Sequence, residues 1–177
     1  MRRFIPGLVI LVLTALVTHF LVLKAIPSFV MSKARTAFQE RGMPLHHWVG
    51  SSRITPQTQT VVRPSPDLAY VICLFDVRDG PVLISAPTWD AYGSLSIFDE
   101  QTNNIYVTSL KTSDAAPSQI VLARPGYSEP GGTTNGMPIV TMKGEGLALV
   151  RRLAPTVQAY ERASGLIGEA KCEKFGD

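Results

Sequence analysis

A chain of 177 residues with 17 Lys and Arg against 14 Asp and Glu has room for one domain of ordinary size and carries a formal charge of only +3. Without Arg2 and Arg3 the balance is near +1, which leaves no electrostatic footprint for nucleic acid. The two cysteines, Cys73 and Cys172, form no CxxC or other metal-ligand spacing; they suit one disulfide in an oxidising compartment, or two separate buried thiols.

Met1-Arg2-Arg3 leads into an apolar run from Phe4 to Leu23 that Lys24 closes. About 20 residues at about 1.5 Å rise match the roughly 30 Å hydrocarbon core of a bilayer, so residues 1–24 are expected to be a transmembrane anchor. A cleaved signal peptide is the competing reading. The run is long for a signal, and Leu23-Lys24-Ala25-Ile26-Pro27 is not a small-x-small cleavage site. Pro6 and Gly7 fall in the first helical turn, where proline costs little. Thr14 and Thr18 can bond back to the backbone, and His19 can reach an interface. Arg2 and Arg3 favour a cytoplasmic N-terminus over the competing Lys24, Lys33, Arg35 and Arg41. The expected location is the inner (cytoplasmic) membrane, single-pass, with the C-terminal domain periplasmic.

Residues 25–59 read as a connecting helix and loop. Pro27 is expected to end or kink the anchor. Val30, Ala34, Ala37 and Phe38 share one face of a helix over Phe29–Arg41 that Gly42 stops. Such a helix can lie on the membrane surface, pack on the domain or continue the anchor. Met43 to Thr60 reads as loop with room for one short strand.

Residues 60–177 read as the domain. Asp67–Val77 is a strand apolar on both parities, and Arg78-Asp79-Gly80-Pro81 turns it into a returning strand over Pro81–Ala86. Further strands are expected at Tyr92–Phe98, Asn104–Leu110, Gln119–Ala123, Pro138–Met142 and Leu147–Leu153. Pro125–Pro138 is a glycine- and proline-rich loop. Pro155 starts a last helix carrying Val157, Tyr160, Ala163 and Ile167 toward Cys172. Short strands joined by spacers too short for crossovers predict an all-β, antiparallel sandwich or barrel, with Ile72, Leu74, Leu95 and Ile97 buried.

The series Arg63-Pro64-Ser65-Pro66-Asp67-Leu68-Ala69-Tyr70, Phe75-Asp76-Val77, Gly80-Pro81-Val82 and Tyr92-Gly93-Ser94-Leu95-Ser96-Ile97-Phe98-Asp99 resembles bacterial domain of unknown function 1254, in its short membrane-anchored form. The resemblance covers roughly residues 60 to 153. It implies an immunoglobulin-like β-sandwich. It also implies a partner: in long members this module precedes a second all-β module, domain of unknown function 1214, which this sequence lacks. The Arg-Pro-Asn-Pro-Asp form of those members reads Arg-Pro-Ser-Pro-Asp here. The resemblance brings no reaction and no cofactor.

Candidate chemistry is sparse. His46-His47 is an adjacent pair whose side chains diverge, a poor metal site. Asp67, Asp76, Asp79, Asp90 and Asp99 recur near strand ends, where some can converge on a cation such as calcium, although aspartates more often simply make turns. No Gly-x-Ser-x-Gly elbow appears, and Gly131-Gly132 stands outside any phosphate-cradling motif. Arg63 and Asp67 flank Pro-Ser-Pro and read first as a structural clamp. Two function classes follow. One is a non-catalytic, membrane-tethered envelope module that binds a separate protein carrying domain 1214. The other is an enzyme or small-ligand binder using the sandwich rim near Arg63, Asp67, Tyr70 and Tyr92.

Overall fold

The computed structural model describes residues 5–55, 64–114, 118–128, 134 and 136–176. Helix α1 (Ile5–Glu40) is continuous over 36 residues, about 54 Å at the usual rise. Pro27 neither ends it nor separates a second helix from it, although its ring forfeits one internal hydrogen bond. The large apolar side chains from Leu8 to Val30 are exposed. The helix is thus long and apolar enough to cross a membrane. Burial begins at Met31 and Arg35, on the turns beyond that run.

The domain has two sheets. Strands β1 (Trp48–Gly50), β2 (Leu68–Asp76), β4 (Gly93–Phe98), β5 (Asn104–Ser109) and β8 (Glu145–Leu153) form the first, in the order β1-β2-β8-β4-β5. Strands β3 (Val82–Ser85), β6 (Gln119–Ala123), β7 (Ile139–Thr141) and β9 (Lys171–Lys174) form the second, in the order β7-β6-β3-β9. Helix α2 (Val157–Gly165), capped by the Thr156 hydroxyl on the Ala159 N–H, and a 3₁₀ turn (Leu166–Glu169) carry the chain from β8 to β9.

One apolar core lies between the sheets. Val71, Cys73, Phe75, Leu95, Ile97, Ala148 and Val150 of the first sheet meet Val82, Ile84, Ile120, Leu122 and Cys172 of the second. Alternation along each strand sets this face. Cys73 and Cys172 stand opposite each other, with Sγ atoms bonded and Cα atoms 6.6 Å apart, within ordinary disulfide reach. Arg152, at the end of β8, is 2% exposed. It donates to the Pro87 carbonyl at 2.9 Å, and burial pulls its guanidinium down to about 10.

Several expectations need correction. The label all-β omits α1 and α2. Pairing is not wholly antiparallel, because β7 runs parallel to β6. The glycine- and proline-rich connection between these strands is long enough to return the chain to the same end. β3 does not return along β2: the Arg78–Pro81 turn, exposed at Arg78 and Asp79, carries the chain over to the second sheet, and β3 pairs with β6 and β9 instead. Ile72 is only half-buried, because it faces outward from the first sheet. β9 escaped the sequence reading since Lys-Cys-Glu-Lys carries one inward apolar residue and sits at a sheet edge. The remaining strand positions agree with the sequence within a few residues.

Leu74 has no exposed surface, whereas Ile72 beside it is half-buried. Leu74→Ala is expected to cost about 2–5 kcal/mol, and Ile72→Ala clearly less. Urea unfolding of the two variants measures the difference. Equal losses would mean that the outer face of β2, which Ile72 and Leu74 share, is as closed at Ile72 as at Leu74.

Candidate functional site

The junction of helix and domain is the most strongly built polar site among the described residues. Arg35 is 5% exposed. Its Nη1 donates to the Gly146 carbonyl at 2.7 Å and to the Phe75 carbonyl at 3.2 Å. Phe75 and Gly146 are register partners on β2 and β8, so one guanidinium spans two neighbouring strands. Its Nε lies 3.2 Å from Glu145 Oε2. Arg78 closes the network, bonding to Glu145 and, at 2.6 Å, to Asp76.

Gly146 is tightly enclosed by neighbouring strands. A Cβ there would meet the Phe98 carbonyl oxygen and the Phe75 ring at 2.5 Å. Burial by itself raises the Asp76 carboxyl; the bonds and charge of Arg78, with Arg35 behind them, outweigh it and hold Asp76 below the usual carboxylate range. Nothing in the sequence single-handedly marks this site. Arg35 reads there as one of several cations near a membrane, and its partners lie 40 and 111 positions away.

The rim residues chosen from sequence are gathered only in part. Arg63 lies outside the described residues, and so does its clamp with Asp67. Asp67 and Tyr92 flank the end of β8: the Asp67 carbonyl accepts from Ala154 N–H at 2.7 Å, and the Tyr92 carbonyl from Leu153 N–H at 2.8 Å. Their side chains do not converge. The Asp67 carboxylate is exposed. The Tyr70 hydroxyl accepts from the Ser65 N–H at 2.8 Å, within its own loop. The Tyr92 hydroxyl donates to Ser94 Oγ at 3.2 Å. Arg151, unnoticed in the sequence, sits between Tyr70 and Ser94 in the register and donates to Ser96 Oγ at 3.3 Å. These groups lock one another in place, and no nucleophile-base pair is formed by them.

The aspartates disperse. Asp99 accepts from the Gln101 and Asn103 N–H groups of its own turn at 2.8 and 2.9 Å. Asp90 pairs with Arg162 at 3.4 Å, and Asp76 with Arg78. No cluster of metal ligands occurs among the described residues. The two histidines diverge: His47 Nδ1 contacts the Leu45 carbonyl at 2.8 Å, whereas His46 lines a cleft with Trp48.

The family profile "Protein of unknown function (DUF1254)" matches residues 45–173, and the chain belongs to this family. No curated protein matches the sequence. The crystal structure of a Vibrio parahaemolyticus protein, a structural-genomics target, shares the fold with a TM-score of 0.59 at 16% identity. The match covers 86% of this chain but only 37% of the Vibrio protein. A putative uncharacterized protein from Burkholderia cenocepacia is more distant, with a TM-score of 0.43 at 14% identity over 80% of this chain and 38% of its own.

Arg35→Met leaves the Phe75 and Gly146 carbonyls without their donor, a loss of about 1–3 kcal/mol. Chymotryptic cleavage after Phe38 should accelerate, and an unchanged rate would show that Arg35 does not hold the helix down. Asp76 supplies a second check. Its carboxyl is depressed in the fold, so its stabilisation is complete above the ordinary aspartate value near about pH 4 and is lost as pH falls through the lower folded value. Thermal melts should therefore fall in that acid range, and the fall should be shallower in Asp76→Asn.

Proposed function

We propose that the protein is a single-pass, membrane-tethered envelope module without catalytic activity, whose domain is held at the periplasmic face of the inner membrane. The carrying observation is the run of α1 from an exposed apolar stretch straight into the buried Arg35 dock, without a flexible linker. Residues 24–40 add about 25 Å of helix beyond the apolar run.

On this reading the two-sheet domain is an immunoglobulin-like sandwich, and its partner is a separate protein carrying domain of unknown function 1214. The length of the Vibrio protein supports a larger assembly, since this chain spans 37% of it. Arg2 and Arg3 support the orientation. So does the apposition of Cys73 and Cys172, which suits an oxidising compartment.

A periplasm-active reporter fused at the C-terminus is expected to be active, and the mature protein to keep residues 1–23. Activity from a cytoplasmic reporter alone would reverse the orientation, and a mature N-terminus near Ala25 would remove the anchor. Labelling of denatured, unreduced protein should find neither Cys73 nor Cys172 free. Two labelled thiols in envelope material would refute the bridge. Affinity purification from detergent extracts should retain the protein carrying domain 1214; its repeated absence would sink the partner assignment.

A further inference from the structure

The free edges of β1 and β9, which belong to opposite sheets, leave a cleft of about 490 Å³ between them. Its polar lining is His46, His47, Trp48, Lys171, Glu173 and Lys174, and its apolar lining includes Leu45, Ile167 and Ala170. The geometry points to a binding site for a small organic monocarboxylate in this cleft, with the carboxylate against Lys174 and the Leu45–Trp48 loop and the hydrocarbon body against Ile167 and Ala170. This goes beyond the tethered-module reading and does not depend on it.

Four observations carry the assignment. The volume is that of an ordinary small-molecule site. Trp48 Nε1 and His46 Nδ1 are both closed to bulk water and have no hydrogen-bond partner. Buried polar groups normally have a partner, and both residues line the cleft whose occupant can supply one. His46 also holds a left-handed backbone, with φ of 58°, although it is not glycine. Its N–H is pinned to the Leu74 carbonyl at 2.8 Å. Strain of this kind persists where the surroundings impose it and gathers at binding sites.

Charge selects the ligand class. Lys171 and Glu173 also line the cleft, and they neutralise each other in an ion pair at 3.1 Å. Lys174 shares the parity of the buried Cys172 and has no ion pair among the described residues. One unpaired ammonium suits a monoanion. No guanidinium fork lines the cleft to recognise a phosphate dianion. Burial pushes the His46 imidazole down, aided by Lys174 and His47 against Asp76 and Asp79, so the ring is neutral at pH 7. A bound carboxylate favours the imidazolium and raises it again.

The test is nuclear magnetic resonance of the full chain in detergent micelles, titrated with butyrate, butyramide or inorganic phosphate. Trp89 is an internal control, because its Nε1 already donates to the Leu153 carbonyl at 3.0 Å. Butyrate is expected to shift the Trp48 indole N–H, to leave that of Trp89 in place and to raise the pKa of His46. Butyramide and phosphate should do none of these. Lys174→Met should weaken butyrate binding about tenfold, while Lys171→Met should change it less than about twofold. Trp48→Phe keeps the ring and removes the donor, and should also weaken binding. The assignment is overturned if the Trp48 signal ignores butyrate, as expected for a water-filled cleft. It is equally overturned if butyramide or phosphate acts as well as butyrate, or if Lys174→Met binds unchanged.

Discussion

A buried guanidinium has to be compensated on every side, and Arg35 meets that demand only where two strands offer carbonyls side by side. Phe75 and Gly146 provide the pair, and Glu145 provides the charge. An arginine this enclosed would be costly with any partner missing. The position of α1 relative to the sheets is therefore set at one point, at the level where β2 begins its turn and β8 begins its run. The absence of a side chain at Gly146 is part of the same constraint, because a Cβ would collide with Phe98 and Phe75 before the helix could matter.

From that point the architecture follows from β2 and β8. They are nine residues each and pair along their whole length, with β1 outside β2 and β4 outside β8. Their inner faces close the core against β3 and β6, while β9 completes the second sheet at its edge. The Cys73–Cys172 link joins the two sheets across 99 positions of chain. Where it is oxidised, chain-entropy reasoning assigns such a loop a stabilisation of about 4.7 kcal/mol, through the unfolded state. It joins a central strand to a late edge strand that has little apolar surface of its own.

The two regions with polar side chains in concert differ in character. At the end of β8, Tyr70, Tyr92 and Ser94 bond to one another or to their own loops, and Arg151 reaches Ser96 while its Nε stays without a partner. Beside β1 and β9, His46 and Trp48 are left unsatisfied above a space of molecular size.

The sequence by itself determined the elements. The 20-residue run from Phe4 to Leu23 behind two arginines is long and apolar enough to cross a bilayer, and period-2 patterning with turn residues marks seven of the nine strands among the described residues. It also marked Cys73 and Cys172, and the motif series that leads to the family. The tertiary structure decided the rest. Which sheet β3 joins depends on how the Arg78–Pro81 turn carries the chain between the sheets, which no local pattern records. β7 pairs parallel because a loop rich in glycine and proline has length to spare. Pro27 sits inside a continuous helix although its ring forfeits one internal hydrogen bond, which no local signal foretells. Arg35 and Gly146 become a site only when they meet across 111 positions. His46 and Trp48 show their missing partners only when two sheet edges frame them. Periodicity is a local property of the chain, whereas hydrogen-bond satisfaction and enclosure belong to the assembled fold.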